Sequence, residues 1–258
     1  MIKIVSFKIC PFVQRVTALL EAKEVPYELE YISLRNKPQW FLDLSPTGQV
    51  PVLVTESGKA LFESDAIIEY IVEVYGEPGE SRTPVQRAQD RAWSYQASKH
   101  YLSQCSTMRS SGEEVLEERL VGLQKAFGRA EQALSEKGES LGQFSNGQLS
   151  NGQFFNGEAL SNVDIAWLPL LHRADIARRH SGFDMLDGFP KMQAWQEALL
   201  DTGLAEKSVS EDFETVFTDF YLSDETYLGQ LTKGLPEDVS GSACRSVKGD
   251  DCHSSACC

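Results

Sequence analysis

The chain has 258 residues, 41% of them hydrophobic, with a formal net charge of −14 and a pI near 4.8. That length supports one large domain or two smaller ones, with cores that need no disulfide or metal staple. An acidic surface repels phosphate backbones, which argues against nucleic-acid binding, and no run of ~18 apolar residues marks a membrane span.

The opening run Met1-Ile2-Lys3-Ile4-Val5-Ser6-Phe7 reads as a strand. A secretory leader needs a longer apolar stretch, so a cytoplasmic protein is expected. A helix is predicted from Pro11 to about Lys23, with Val13, Val16, Leu19 and Leu20 on one stripe, and Val25-Pro26 ends it. Tyr27-Glu28-Leu29-Glu30-Tyr31 alternates with period two and predicts a half-buried strand. Residues 35–47 suit a short irregular helix. Val50-Pro51-Val52-Leu53-Val54 and Ala60-Leu61-Phe62 predict two strands around a Ser57-Gly58 turn, and Ser64 is placed to cap a helix ending near Gly76. The order β-α-β-α-β-β-α predicts a mixed four-stranded sheet: the βαβ opening is parallel and right-handed, the final hairpin antiparallel.

Residues 77–84 form a linker, and composition then turns helical. Long helix-compatible runs extend from Pro84 to about Arg109 and from Glu113 to about Lys137. A low-complexity stretch repeats Ser-Asn-Gly-Gln within residues 139–157 and reads as an expanded surface loop. Ser161 and Asp164 have capping-box spacing, flanked by Leu160 and Ile165 as a staple, so a buried helix starts there. Pro169 is expected to kink that helix or to mark its early turn. Another helix runs from Phe189-Pro190 to Leu200, and Phe213, Val216, Phe217, Phe220 and Tyr221 form an aromatic helical stripe. Residues 231–258 read as a disordered, Cys-rich tail.

The six cysteines are uneven: Cys10 and Cys105 stand alone, while Cys244, Cys252, Cys257 and Cys258 crowd the end. A secreted disulfide scaffold distributes its cysteines, so a reducing compartment and one special thiol are expected. Cys10-Pro11-Phe12 lies where a strand becomes a helix. Pro11 suits the first helical position, which sets Cys10 at the positive end of the helix, where a thiolate is favoured. A dithiol oxidoreductase has a second cysteine three residues on, and here that residue is Val13. A mixed disulfide on Cys10 therefore has no neighbouring thiol to resolve it, which points to a monothiol mechanism using a small external thiol. The tail residues Cys244, Cys252, His253, Cys257 and Cys258 suit a soft metal by ligand type, but their spacing fits no standard zinc knuckle, so no firm metal is assigned. His100 and His172 lack a cysteine or carboxylate at ligand spacing and read as structural, and Arg15 reads as a solvated or structural charge.

The stretch Cys10-Pro11-Phe12-Val13-Gln14-Arg15 resembles the active-site motif of cysteine-type cytosolic glutathione transferases, chiefly the omega class. Residues 34–41, 46–53 and 62–70 resemble the same class in the same order, and the Ser161–Asp164 box resembles that of the whole superfamily. The resemblance spans roughly residues 1–225. It implies a thioredoxin-like glutathione-binding domain over 1–76, an all-helical substrate-binding domain over 85–230, and a homodimer.

It also implies roles. Cys10 is the catalytic nucleophile of a glutathione-dependent thiol transferase acting on disulfides or dehydroascorbate-type acceptors. Val50, before a cis Pro51, pairs with the cysteinyl part of glutathione. Glu63 and Ser64 hold its γ-glutamyl end, Lys37 faces its glycyl carboxylate, and Phe12 lines the site. Tyr95, Tyr101, Trp167 and Phe217 are candidates for the pocket of a small electrophilic or disulfide substrate. Two alternatives share the fold. One is a non-enzymatic binding or channel-like protein, which would want a membrane-insertable N-terminal segment. The other is a glutathione-dependent lyase or dehalogenase acting on an aromatic substrate.

Overall fold

The structure is a computed structural model that describes residues 1–79, 82–141 and 153–232. The repeat-bearing loop and the Cys-rich tail lie for the most part outside the described residues, as do all five tail side chains weighed as metal ligands.

The first part follows the predicted order: β1 (Ile2–Ser6), α1 (Pro11–Ala22), β2 (Tyr27–Tyr31), α2 (Gln39–Leu44), β3 (Val52–Val54), β4 (Ala60–Phe62) and α3 (Ser64–Tyr75). The sheet order is β2-β1-β3-β4. β1 pairs with β2 in parallel, and β3 runs antiparallel to both β1 and β4. β1 is central, so its apolar side chains Ile2, Ile4 and Val5 are buried. α1 ends as Glu24 takes a left-handed φ of 53° and Val25 N–H reaches back to the Leu20 carbonyl at 2.9 Å.

The helical part holds α4 (Pro84–Ser98), α5 (Tyr101–Met108), α6 (Glu113–Leu141), α7 (Asn162–Ser181), α8 (Pro190–Asp201), α9 (Leu204–Lys207), α10 (Phe213–Tyr221) and α11 (Tyr227–Thr232). Thr83 and Gln86 form a capping box that starts α4. The single run expected over 84–109 divides at residue 100. The His100 ring takes the Gln96 carbonyl at 2.6 Å, and the His100 N–H turns instead to the Ala97 carbonyl at 2.9 Å. A side chain has displaced a backbone donor, and the helix breaks there.

α7 is the hub. Its residues Val163 to Ala177 are buried throughout, as befits a helix enclosed on all sides. α1 packs against it from the sheet side, and α4 and α8 from the helical side. Pro169 does not sit in the first turn, as one expectation had it; it is the eighth residue of a helix assigned without a break. The Asp164 carboxylate fixes the start of α7. It accepts from the Ser161 N–H at 2.8 Å, the Ser161 hydroxyl at 2.6 Å, the Phe155 N–H at 2.8 Å and the Trp195 indole at 2.7 Å.

Candidate active site

Topology brings the predicted residues to one end of the sheet. Cys10 follows the C-terminal end of β1, and Val50 and Pro51 precede the adjacent, antiparallel β3. The register pairs Val5 with Val52 and Val52 with Phe62, so the 50–51 segment lies beside the 6–7 segment and beside Glu63-Ser64. The Val50–Pro51 bond is cis.

Cys10 occupies the N-cap position of α1, with Pro11 as the first helical residue and no side-chain cap bond. Its N–H donates to the Phe7 carbonyl at 3.0 Å, and its carbonyl accepts from the Gln14 N–H at 3.1 Å. Cys10 is 2% exposed. Its sulfur therefore belongs to a helix N-terminus inside the fold, where the unpaired amides and the macrodipole act with little screening.

Glu63 is exposed and has φ 66°, ψ 117°, a conformation sparsely populated by non-glycine residues. It turns the chain from β4 into α3 and takes the N-cap position itself. Ser64, expected as the cap, is instead the first residue of the helix, and it is buried. The loop before Val50 is tied by the Ser45 hydroxyl, which donates to the Gln49 carbonyl at 3.0 Å and accepts from the Gln49 N–H at 3.1 Å. Gly48 has φ +65°, and the Lys37 ammonium lies 3.6 Å from where a Cβ would stand. Lys37, half-buried, is thus placed against the segment leading to Val50.

The four pocket candidates separate. Tyr101, Trp167 and Phe217 are fully buried. The Tyr101 hydroxyl donates to the Ala166 carbonyl, and the Trp167 indole donates to the Trp93 carbonyl at 3.1 Å. Phe217 packs between Phe213 and Tyr221. These three side chains build the walls' interior and present no open surface. Tyr101 still touches the site through Phe12, whose ring meets it edge-on with centroids 5.0 Å apart. Tyr95 keeps partial exposure, and burial followed by the Glu69 and Asp65 charges raises its phenol above the usual range.

Sequence reasoning missed a polar layer beneath Cys10. Arg15 is not solvated: it is 2% exposed and pairs with Asp65, joining the starts of α1 and α3. Gln14 is buried and donates to His172 Nδ1 at 2.9 Å and to the Ser208 hydroxyl at 3.3 Å. The Gln14 Oε1 accepts from Arg173, which also reaches the Ile9 carbonyl at 3.1 Å. His172 stacks on Phe213, and burial, then the Arg173 charge, pulls its pKa down to about 3. Among the described residues, no three His, Cys, Asp or Glu side chains gather as a metal site, and no helix is long and apolar enough to cross a membrane.

Comparison with known proteins decides the family. Residues 9–74 match the model of the glutathione S-transferase N-terminal domain, and residues 113–198 match that of the C-terminal domain. A probable glutathione S-transferase DHAR1, cytosolic, of Oryza sativa subsp. japonica is 32% identical over 191 residues, 74% of this chain and 79% of the relative. The chain belongs to the glutathione S-transferase family. A glutathione S-transferase omega-1 of Sus scrofa is 27% identical over 228 residues, 87% of each chain. The crystal structure of glutathione transferase Omega 3C from Trametes versicolor superposes with a TM-score of 0.64 at 25% identity, covering 81% of this chain and 89% of that one. This glutathione S-transferase is therefore of the omega-like, cysteine-type kind, a glutathione-dependent enzyme on a thioredoxin-like sheet with a helical partner domain.

Proposed function

We propose that this glutathione S-transferase moves thiol equivalents through Cys10. The thiolate attacks a disulfide acceptor, forming a mixed disulfide and expelling the other half as a thiolate. Glutathione thiolate then attacks the acceptor sulfur of the mixed disulfide, which restores the Cys10 thiolate and leaves a glutathione–acceptor mixed disulfide; a second glutathione converts this to glutathione disulfide and the second acceptor thiol. A dehydroascorbate-type acceptor is reduced by two electrons, with two glutathiones becoming one disulfide. The observation that carries this reading is Cys10 at the start of α1 with Val13 one turn further on. A cysteine beside the glutathione sulfur bonds to it, whereas conjugation needs a hydroxyl that only donates a hydrogen bond. The positions of Val50, Glu63, Ser64 and Lys37 around Cys10 support their roles with the cysteinyl, γ-glutamyl and glycyl parts of glutathione. Phe12 is assigned to the lining of the glutathione site, and Tyr95 to the second-substrate side. We read residues 1–76 as the glutathione-binding domain and 85–230 as the substrate-binding domain, in a cytoplasmic homodimer.

The test compares three acceptors at fixed glutathione: hydroxyethyl disulfide, dehydroascorbate and an aryl halide. Turnover of the first two should exceed that of the third, and Cys10→Ser should abolish it. Dominant aryl-halide conjugation that survives Cys10→Ser would overturn the reading.

A further inference from the structure

We propose that Arg173, on α7 of the helical half, positions Cys10 and supplies the positive charge that keeps its sulfur ionised. This rests on Cys10 being the reacting thiol. Arg173 is 0% exposed, and among the described residues every hydrogen-bond acceptor it meets is neutral: Gln14 Oε1, the Pro169 carbonyl at 3.0 Å and the Ile9 carbonyl at 3.1 Å. Its guanidinium lies 5.3 Å from the centre of the Phe213 ring, and among the described residues its Nε has no hydrogen-bond partner. A buried cation without a counter-charge is costly, so a fold that retains one is expected to have an anion nearby. The nearest cations of the site differ in this respect. Arg15 pairs with Asp65, and Lys8 pairs with Asp212.

The anion that answers Arg173 is the Cys10 thiolate. The peptide joining Ile9 to Cys10 is held on both sides, by Arg173 at its carbonyl and by the Phe7 carbonyl at its N–H. Arg173 thus stands one peptide group from the sulfur-bearing residue, and its charge adds to that of the α1 N-terminus. The ionisable groups that face this region are Lys8 before α1, Arg15 on α1, Glu63 before α3, Asp65 on α3, Tyr95 on α4, Tyr101 on α5, and His172 and Arg173 on α7. Burial raises the Tyr101 phenol well above its ordinary value and lowers His172 to about 3, so both are neutral from pH 5 to 9. A change in the Cys10 profile over that range then belongs to Cys10.

The experiment follows iodoacetamide alkylation of Cys10 from pH 5 to 9.5 in the full chain without glutathione. Peptide mass spectrometry separates Cys10 from the other cysteines. Arg173→Met should raise the midpoint by about one pH unit, which slows alkylation about tenfold below it. Arg173→Lys keeps the charge and should keep the midpoint near that of the unmodified protein. If Arg173→Met does not fold, Arg173→Gln takes its place, being neutral but able to donate to the Ile9 carbonyl. A neutral variant with an unshifted midpoint overturns the proposal, and so does a lysine variant that shifts as far as the neutral one. Failure of thiol transfer in the unmodified protein would sink the functional reading alone, because alkylation is read without glutathione.

Discussion

At the residue scale the proposed site divides its work between a sulfur and a set of anchors. Cys10→Ser should leave glutathione binding close to that of the unmodified protein, because the peptide contacts are assigned to Val50, Glu63 and Ser64. Calorimetric titration with glutathione checks this, and loss of binding would mean that the thiol itself is an anchor. Lys37 is the single cation assigned to the glycyl carboxylate. A charge-assisted bond at a half-exposed position is worth roughly 1 kcal/mol, so Lys37→Met should raise the KM for glutathione about fivefold with kcat little changed. An unchanged KM would place the carboxylate elsewhere. Cys10, Pro11 and Val13 were legible in the sequence because a helix N-terminus is a local event, set by consecutive residues. Arg15 and Gln14 were not. Their partners Asp65 and His172 lie 50 and 158 residues away, and no pattern within a helix reveals a contact that distant.

At the element scale, α7 carries most of the energetic weight. Asp164 gathers four donors in a fully buried place, and burial raises its carboxyl above the ordinary range against their pull. Asp164→Ala strands the Phe155 and Ser161 amides, the Ser161 hydroxyl and the Trp195 indole. It should cost about 3–5 kcal/mol, read from urea unfolding, with glutathione contacts in the sheet domain unchanged in kind. The box was readable from spacing, whereas the Trp195 and Phe155 contacts were not, since they come from other elements. α10 is tied to α7 at the surface by Glu214, which accepts from Arg179 at 2.6 Å and from His180 at 2.6 Å. The Arg179 bond, set against desolvation, brings the Glu214 pKa down to about 2 from 4.5. A folded pKa below the unfolded one gives stability that is complete above about 4.5 and lost as pH falls towards 2. Glu214 is nearly half exposed, so Glu214→Gln should cost under about 1 kcal/mol at pH 7. That difference should shrink steadily below pH 4.5, and a gap as large at pH 2.5 as at pH 7 would mean the effect is packing. The break between α4 and α5 at His100 had no signal in helix propensity, because the competitor is a side-chain donor, the His100 ring, that takes the Gln96 carbonyl and that propensity does not count.

At the scale of the whole molecule the sheet half and the helical half are joined by a buried seam with polar bonds inside it. Val13, Gln14, Thr17 and Leu20 of α1 are all buried, so α1 presents no solvent face between the sheet and α7 and α9. The Thr17 hydroxyl donates to the Ser208 carbonyl at 2.6 Å, Gln14 reaches the Ser208 hydroxyl, and Arg173 reaches Ile9. Separating the halves would expose an apolar surface and leave these groups to water at once. Neither half is then expected to open alone while the other stays intact. The composition shift near residue 77 announced two architectures, but it carried no measure of their coupling, which resides in contacts between residues 164 to 194 positions apart. The consequence is measurable by native-state hydrogen exchange at rising denaturant. The slowest amides of β1 and those of the centre of α7 should converge on one opening free energy and one denaturant slope. A β1 that exchanges through a smaller opening while α7 stays protected would show that the seam is weak and that the two halves unfold separately.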